Sequence, residues 1–175
     1  MYRCRYSMAI LIAVLTITNP ALARGTYQQP EVFLQETFPE GIPKPEVVWL
    51  TKSIRPAVEE ILAHKPAVLR IRYWRKQDRT AWILEEIGKE KPITTGVVIN
   101  KGIVERIKVL VFRESRGWEV RHNFFTDQFM GAALKDNHYL NKSIDGISGA
   151  TLSVRALEKQ ARVALFLHNT ELSDL

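Results

Sequence analysis

The residues best placed to do chemistry stand together late in the chain, in Asp145-Gly146-Ile147-Ser148-Gly149-Ala150-Thr151-Leu152-Ser153. One acid opens the run, small residues fill it, and three hydroxyl side chains lie along it. A helical pattern begins at once behind it. Gly149 permits a turn that a side chain would forbid. The first N–H groups of a helix have no internal partners and carry the positive end of its dipole. A phosphate fits such a place, with the Thr151 and Ser153 hydroxyls beside it. The same residues also read as a plain helix start, because Ser and Thr are common caps and Gly a common turn residue. Composition and spacing leave both readings open.

Other chemistry-bearing residues are scattered. His64, His122, His138 and His168 stand at no metal-ligand spacing with one another or with a suitable acid. There is no Gly-x-Ser-x-Gly elbow, no nucleophilic triad and no Gly-x-Gly-x-x-Gly fingerprint opening a helix after a strand. The run Arg70 to Lys76 interleaves basic and aromatic residues. It reads as a sheet edge with snorkelling arginines, or as a dock for an anionic partner such as a redox protein.

The elements that must carry these residues follow from periodicity. Val32 to Phe38 predicts a short helix, and Pro39, Gly41, Pro43 and Pro45 then break the chain. Residues 53–64 predict a helix with Ser53 as N-cap, Pro56 in its first turn and an apolar stripe of Ile54, Val58, Ile61 and Leu62. Four antiparallel strands are expected between residues 68 and 113, the last two split by a turn at Asn100-Lys101-Gly102. In the last strand Ile103, Ile107, Val109 and Val111 share a face, which Glu105 interrupts. Residues 123–134 predict a short helix and 135–145 a loop. From Thr151 to about His168 the apolar stripe is Val154, Leu157, Ala161, Ala164 and Leu165, with Arg155, Glu158, Lys159 and Arg162 opposite. The expected fold is α+β, an antiparallel sheet packed by helices, with a long C-terminal helix beginning at the small-residue loop.

The 175 residues fit one domain, and 46% hydrophobic with 25% charged content is ordinary for a globular chain. Residues 1–23 have the layout of a secretory signal peptide. Arg3 and Arg5 precede an apolar stretch from Met8 to about Ile17, and Ala21-Leu22-Ala23 ends it. Cleavage near Ala23 places the mature protein in the periplasm or otherwise outside the cytoplasm. Cys4 is the sole cysteine and lies in that leader. The mature chain therefore has no disulfide, thiolate metal site, iron–sulfur cluster or thioether-linked haem. The formal net charge of +6 is mildly basic, with no Lys/Arg block of the nucleic-acid-binding kind.

Asp145, Ser148, Gly149, Ala150 and Thr151 together resemble the attachment motif of the FMN-binding domain family. That family includes the flavin-bearing subunits of the sodium-pumping NADH:quinone oxidoreductase and related ferredoxin–NAD complexes. Phe124 to Gly131 resembles its aromatic–x–Gln-Phe–x–Gly segment. Residues 93–117 resemble its strand–turn–strand and glutamate loop, although Glu114-Ser115-Arg116-Gly117 lacks the proline that many members have. The resemblance covers roughly residues 80–165.

The resemblance implies FMN bound covalently as a phosphoester of Thr151, installed by a separate flavin transferase. Ser148, Gly149 and Ala150 then shape the phosphate end. Asp145 caps the loop, binds the transferase's metal, or both. Glu114, Gly117, Trp118, Phe125 and Phe129 are candidates to border the ring, each also readable as core or scaffold. The division expected is a leader over 1–23, an N-terminal helical extension over 24–67 and the FMN-binding domain over 68–175. An electron carrier between membrane or periplasmic redox proteins is the implied function. A flavin-dependent reductase acting directly on a small acceptor is the alternative, and a redox-silent interaction module a third.

Overall fold

The computed structural model describes residues 25–173. The signal-peptide reading lies outside these residues. Among them no helix is long and apolar enough to cross a membrane.

Five strands form one antiparallel meander in chain order: β1 (Pro45–Trp49), β2 (Arg70–Lys76), β3 (Arg79–Ile87), β4 (Pro92–Asn100) and β5 (Ile103–Phe112). The helices are α1 (Pro30–Thr37), α2 (Arg55–Leu62), α3 (Asn123–Thr126) and α4 (Thr151–Ser173). The α+β reading holds. The segment before residue 68 adds an edge strand to its two helices, so it is part of the same sheet. Pro43 and Pro45 hide that strand in the sequence. Proline is tolerated at a strand's first residue on a sheet edge, which is where Pro45 sits.

The sheet is covered on both faces. On one, α2 and α4 bury the main core, including Trp82, Ile99, Leu157 and Leu165. On the other, α1 presses Phe33, Leu34 and the following Phe38 onto Ala81, Val98 and Leu110. Phe33 lies so close to Gly96 that a Cβ there would meet the ring at 2.5 Å.

Strand β5 departs from simple alternation. Its pairing with β4 slips between Thr94 and Thr95 and again between Val98 and Ile99. Each bulge absorbs one residue of β5, Leu110 and Glu105 respectively, and reverses the faces beyond it. The main core therefore takes Val104, Ile107, Val109 and Phe112, while Ile103 is exposed. Only the middle of the expected face survives. Glu105, which breaks the pattern in the sequence, marks a bulge.

Two helix starts also differ. Ser53 does not cap α2; the N-cap is Ile54, and Ser53 Oγ shares a hydrogen bond with Thr51 Oγ1. The helix expected over 123–134 stops after Thr126 and tightens into a 3-10 turn, Asp127–Phe129. The chain then runs extended, where Ala133 bridges Ile103. The basic-aromatic run Arg70 to Lys76 is β2, an inner strand, because β1 takes the edge.

Candidate functional site

The site begins with α4. Its N-cap is alanine: Val154 N–H donates to the Ala150 carbonyl at 3.0 Å, the first bond of the helical ladder. Alanine offers no side-chain acceptor, so the N–H groups of Thr151, Leu152 and Ser153 precede the ladder without a cap from that residue. Gly149, at φ +79°, makes the expected turn into the helix. Ser148, Gly149 and Thr151 are exposed, whereas Ala150 is buried under the turn.

This helix start forms one wall of a cleft of about 570 Å³, lined also by Lys89 and by Glu114, Ser115 and Arg116. The loop after β5 closes against the helix at Gly117, whose φ is +83°. A Cβ there would lie 2.8 Å from Ser153 Oγ and 3.2 Å from the Ala150 Cβ. Gly117 is thus required twice, by its backbone conformation and by the close approach. It packs beneath the cleft, and the missing side chain leaves the Ser153 hydroxyl clear.

Glu114 organises the opposite rim. Its Oε1 accepts the backbone N–H groups of Lys89, Glu90 and Lys91 at 2.5, 2.6 and 2.9 Å. Partial burial resists ionisation, but these three donors outweigh it and hold the carboxyl below its ordinary range. Glu114 therefore ties the β3–β4 turn to the loop after β5 and sets Lys89 beside the helix start.

Gln128 connects the Phe124–Gly131 segment to the loop that opens at Asp145. Its Oε1 accepts the Asp145 N–H at 2.7 Å, tying the 3-10 turn to the loop before α4. The Asp145 residue itself is exposed. Trp118, just after Gly117, is 44% exposed and meets His122 edge-on at 5.3 Å. Phe125 and Phe129 lie wholly in the core, edge to face at 5.7 Å, and present no free ring face. They support the loop from within.

Ser153 is more than a helical-turn residue. It is 5% exposed, lines the cleft, and its hydroxyl has no hydrogen bond among the described residues. Lys89 and Arg116 also border the cleft. Arg116 lies in the Glu114–Gly117 loop that the sequence offered as a candidate, whereas Lys89 was passed over, because charge was its only signal and the chain has many lysines and arginines.

All of this cleft falls within one stretch. Residues 88–165 match the family model of the FMN-binding domain. The chain carries an FMN-binding domain. FMN is its cofactor, and the protein is a flavoprotein. No curated protein matches the chain.

The cleft residues of this domain fit the phosphate end of FMN. Uncapped N–H groups at a helix start, two cationic side chains and the Ser153 hydroxyl form a donor set, and the one acid in the lining, Glu114, has its Oε1 bonded to the turn. Leu152 is exposed at the same cleft and offers apolar surface.

Proposed function

We propose that the FMN-binding domain carries its cofactor as a phosphoester of Thr151 and works outside the cytoplasm as an electron-transfer module between redox proteins. The observation that carries this is the position of Thr151. It is the first residue of α4, exposed, at the mouth of a cleft whose donors suit a phosphate. A hydroxyl there is open to a transferase.

The chain's own residues have separate tasks in this reading. Gly149 and Ala150 turn the backbone so that the helix N–H groups face the phosphate. Ser153 donates to a phosphate oxygen from below, and Lys89 and Arg116 balance its charge. Leu152 and Trp118 cover apolar surface of the ring. When bound, FMN supplies one- and two-electron redox chemistry, and the protein positions and tunes it. The signal-peptide pattern of residues 1–23 supports export. A covalent link suits that setting, because a cofactor held by an ester is not lost by dissociation. The partners are a flavin transferase for maturation and a redox donor and acceptor.

The test is intact mass on protein exported from a host with an active flavin transferase. The expected species starts at Arg24 and carries one FMN-sized addition that is absent from Thr151→Ala. An unmodified wild-type chain in that host refutes the covalent link, and an uncleaved N-terminus refutes export by this leader.

A further inference from the structure

The sheet is split along half its length. β2 pairs with β3 only from Tyr73 to Lys76, opposite Trp82 to Arg79. Beyond that point Arg70, Ile71 and Arg72 pair with β1 alone, and Ile83 to Ile87 with β4 alone. The two halves diverge, and the inner edge of β3 is left without a strand.

A cavity of about 410 Å³ fills the opening. Its walls are apolar, from Leu62, Val68, Ile71, Ile83, Ile87 and Val163. That volume and lining are those of a small-molecule site. On its polar side sits Glu86, 5% exposed, already neutralised by His64 Nε2 at 3.0 Å and Lys159 Nζ at 3.1 Å. Glu85 is likewise paired, with Arg113 at 3.4 Å. Both acids are therefore answered. Arg70 and Arg72 are exposed and have no ion pair among the described residues; Arg70 lies over the Trp49 ring at 5.5 Å. Exposed apolar residues continue the lining outward: Val68 at 50%, Leu69 at 65% and Ile87 at 59%. Such surface favours an apolar cover.

We propose that the split between β2 and β3 binds a single-chain anionic amphiphile of the fatty-acid class. Its hydrocarbon chain lies in the cavity between Ile71 and Ile83, and its carboxylate meets Arg70 and Arg72 at the rim. Charge decides the class: the cavity's acids are matched, and the surplus at its mouth is positive. The site is independent of Thr151 and of the flavin reading.

Dodecanoate below its micellar concentration is the probe, titrated calorimetrically into the mature chain, with dodecyltrimethylammonium as the cationic comparison. Saturable binding of dodecanoate is expected, with none of the cation. The double charge reversal Arg70→Glu, Arg72→Glu weakens binding at least tenfold, and both residues are exposed, so the fold is retained. Ile83→Trp, which fills the cavity, abolishes binding, with thermal melting as the check on its fold. Amide exchange is expected to slow across residues 83–87 when dodecanoate is bound. No saturable binding, equal binding of both amphiphiles, indifference to the charge reversal, or protection confined to other segments overturns the proposal.

Discussion

The two ends of α4 treat polar groups in opposite ways. At the start, the helix N–H groups have no side-chain cap from Ala150, the Ser153 hydroxyl has no hydrogen bond among the described residues, and a cleft stands open beside them. Near the other end, the polar side chains are paired. Gly102 N–H donates to His168 Nε2 at 3.1 Å, which leaves the proton on Nδ1 to bond Thr80 Oγ1 at 2.7 Å. Trp82 Nε1 donates to the same hydroxyl at 2.8 Å. The Tyr73 hydroxyl lies between Glu46 and Glu171, at 2.8 and 3.0 Å. One end spends its hydrogen-bonding capacity on the fold. The other leaves it open at the cleft.

The sharpest way to break this comparison is to exchange the consequences. Thr151→Ala is expected to lose the whole FMN-sized addition while leaving the melting temperature within about 1 °C, because an exposed side chain contributes little to stability. His168→Ala is expected to do the reverse. It strands the Gly102 N–H and removes a partner of Thr80, costing about 3 kcal/mol in urea unfolding, with flavinylation kept. A large stability loss in the first, or a lost addition in the folded second, removes the distinction.

Acid should reach the closed end first. Burial pushes the His168 imidazole down to about 4, from an ordinary 6.5. Above pH 6.5 the residue is neutral in both folded and unfolded chains and adds no pH dependence. Below it the unfolded chain takes up a proton that the native state refuses. Stability should fall by about 3 kcal/mol as pH drops from 6.5 to about 4, then level. Urea midpoints across that range should flatten in His168→Gln; an unchanged slope assigns the loss elsewhere.

Gly117→Ala probes the floor of the open end. The strained φ and the 2.8 Å approach to Ser153 Oγ predict a loss of about 2 kcal/mol. Adding Ser153→Ala should return part of it, whereas strict additivity in the double-mutant cycle means the hydroxyl is not the obstacle.

The smallest effect belongs to His64. A hydrogen bond with the Lys65 carbonyl and the contact with Glu86 raise its pKa above the ordinary value, against some desolvation. Its contribution is present below about pH 6.5 and is lost as pH rises through the raised value. The side chain is 47% exposed, so solvent screening keeps the pair under about 1 kcal/mol. His64→Ala should therefore lower thermal stability slightly at pH 5.5 and not at pH 8.5, where Lys159 remains to hold Glu86.

By itself the sequence determined the helix from Thr151, the hairpin turn at Lys101-Gly102, the α+β class and the attachment-like run before α4. These rest on local periodicity and on side chains close in sequence, which one chain segment expresses unaided. Only the tertiary structure decided the rest. β1 is invisible behind its prolines until β2 supplies a partner. The faces of β5 depend on two bulges that exist only in its register with β4. Glu114 finds its role in the N–H groups of a turn more than twenty residues earlier, and Ser153 gains its significance from Gly117 lying against it. The split between β2 and β3 depends on where the pairing of two strands stops. Each of these is a relation between distant segments, fixed by packing and register, and no residue carries such a relation in its own type.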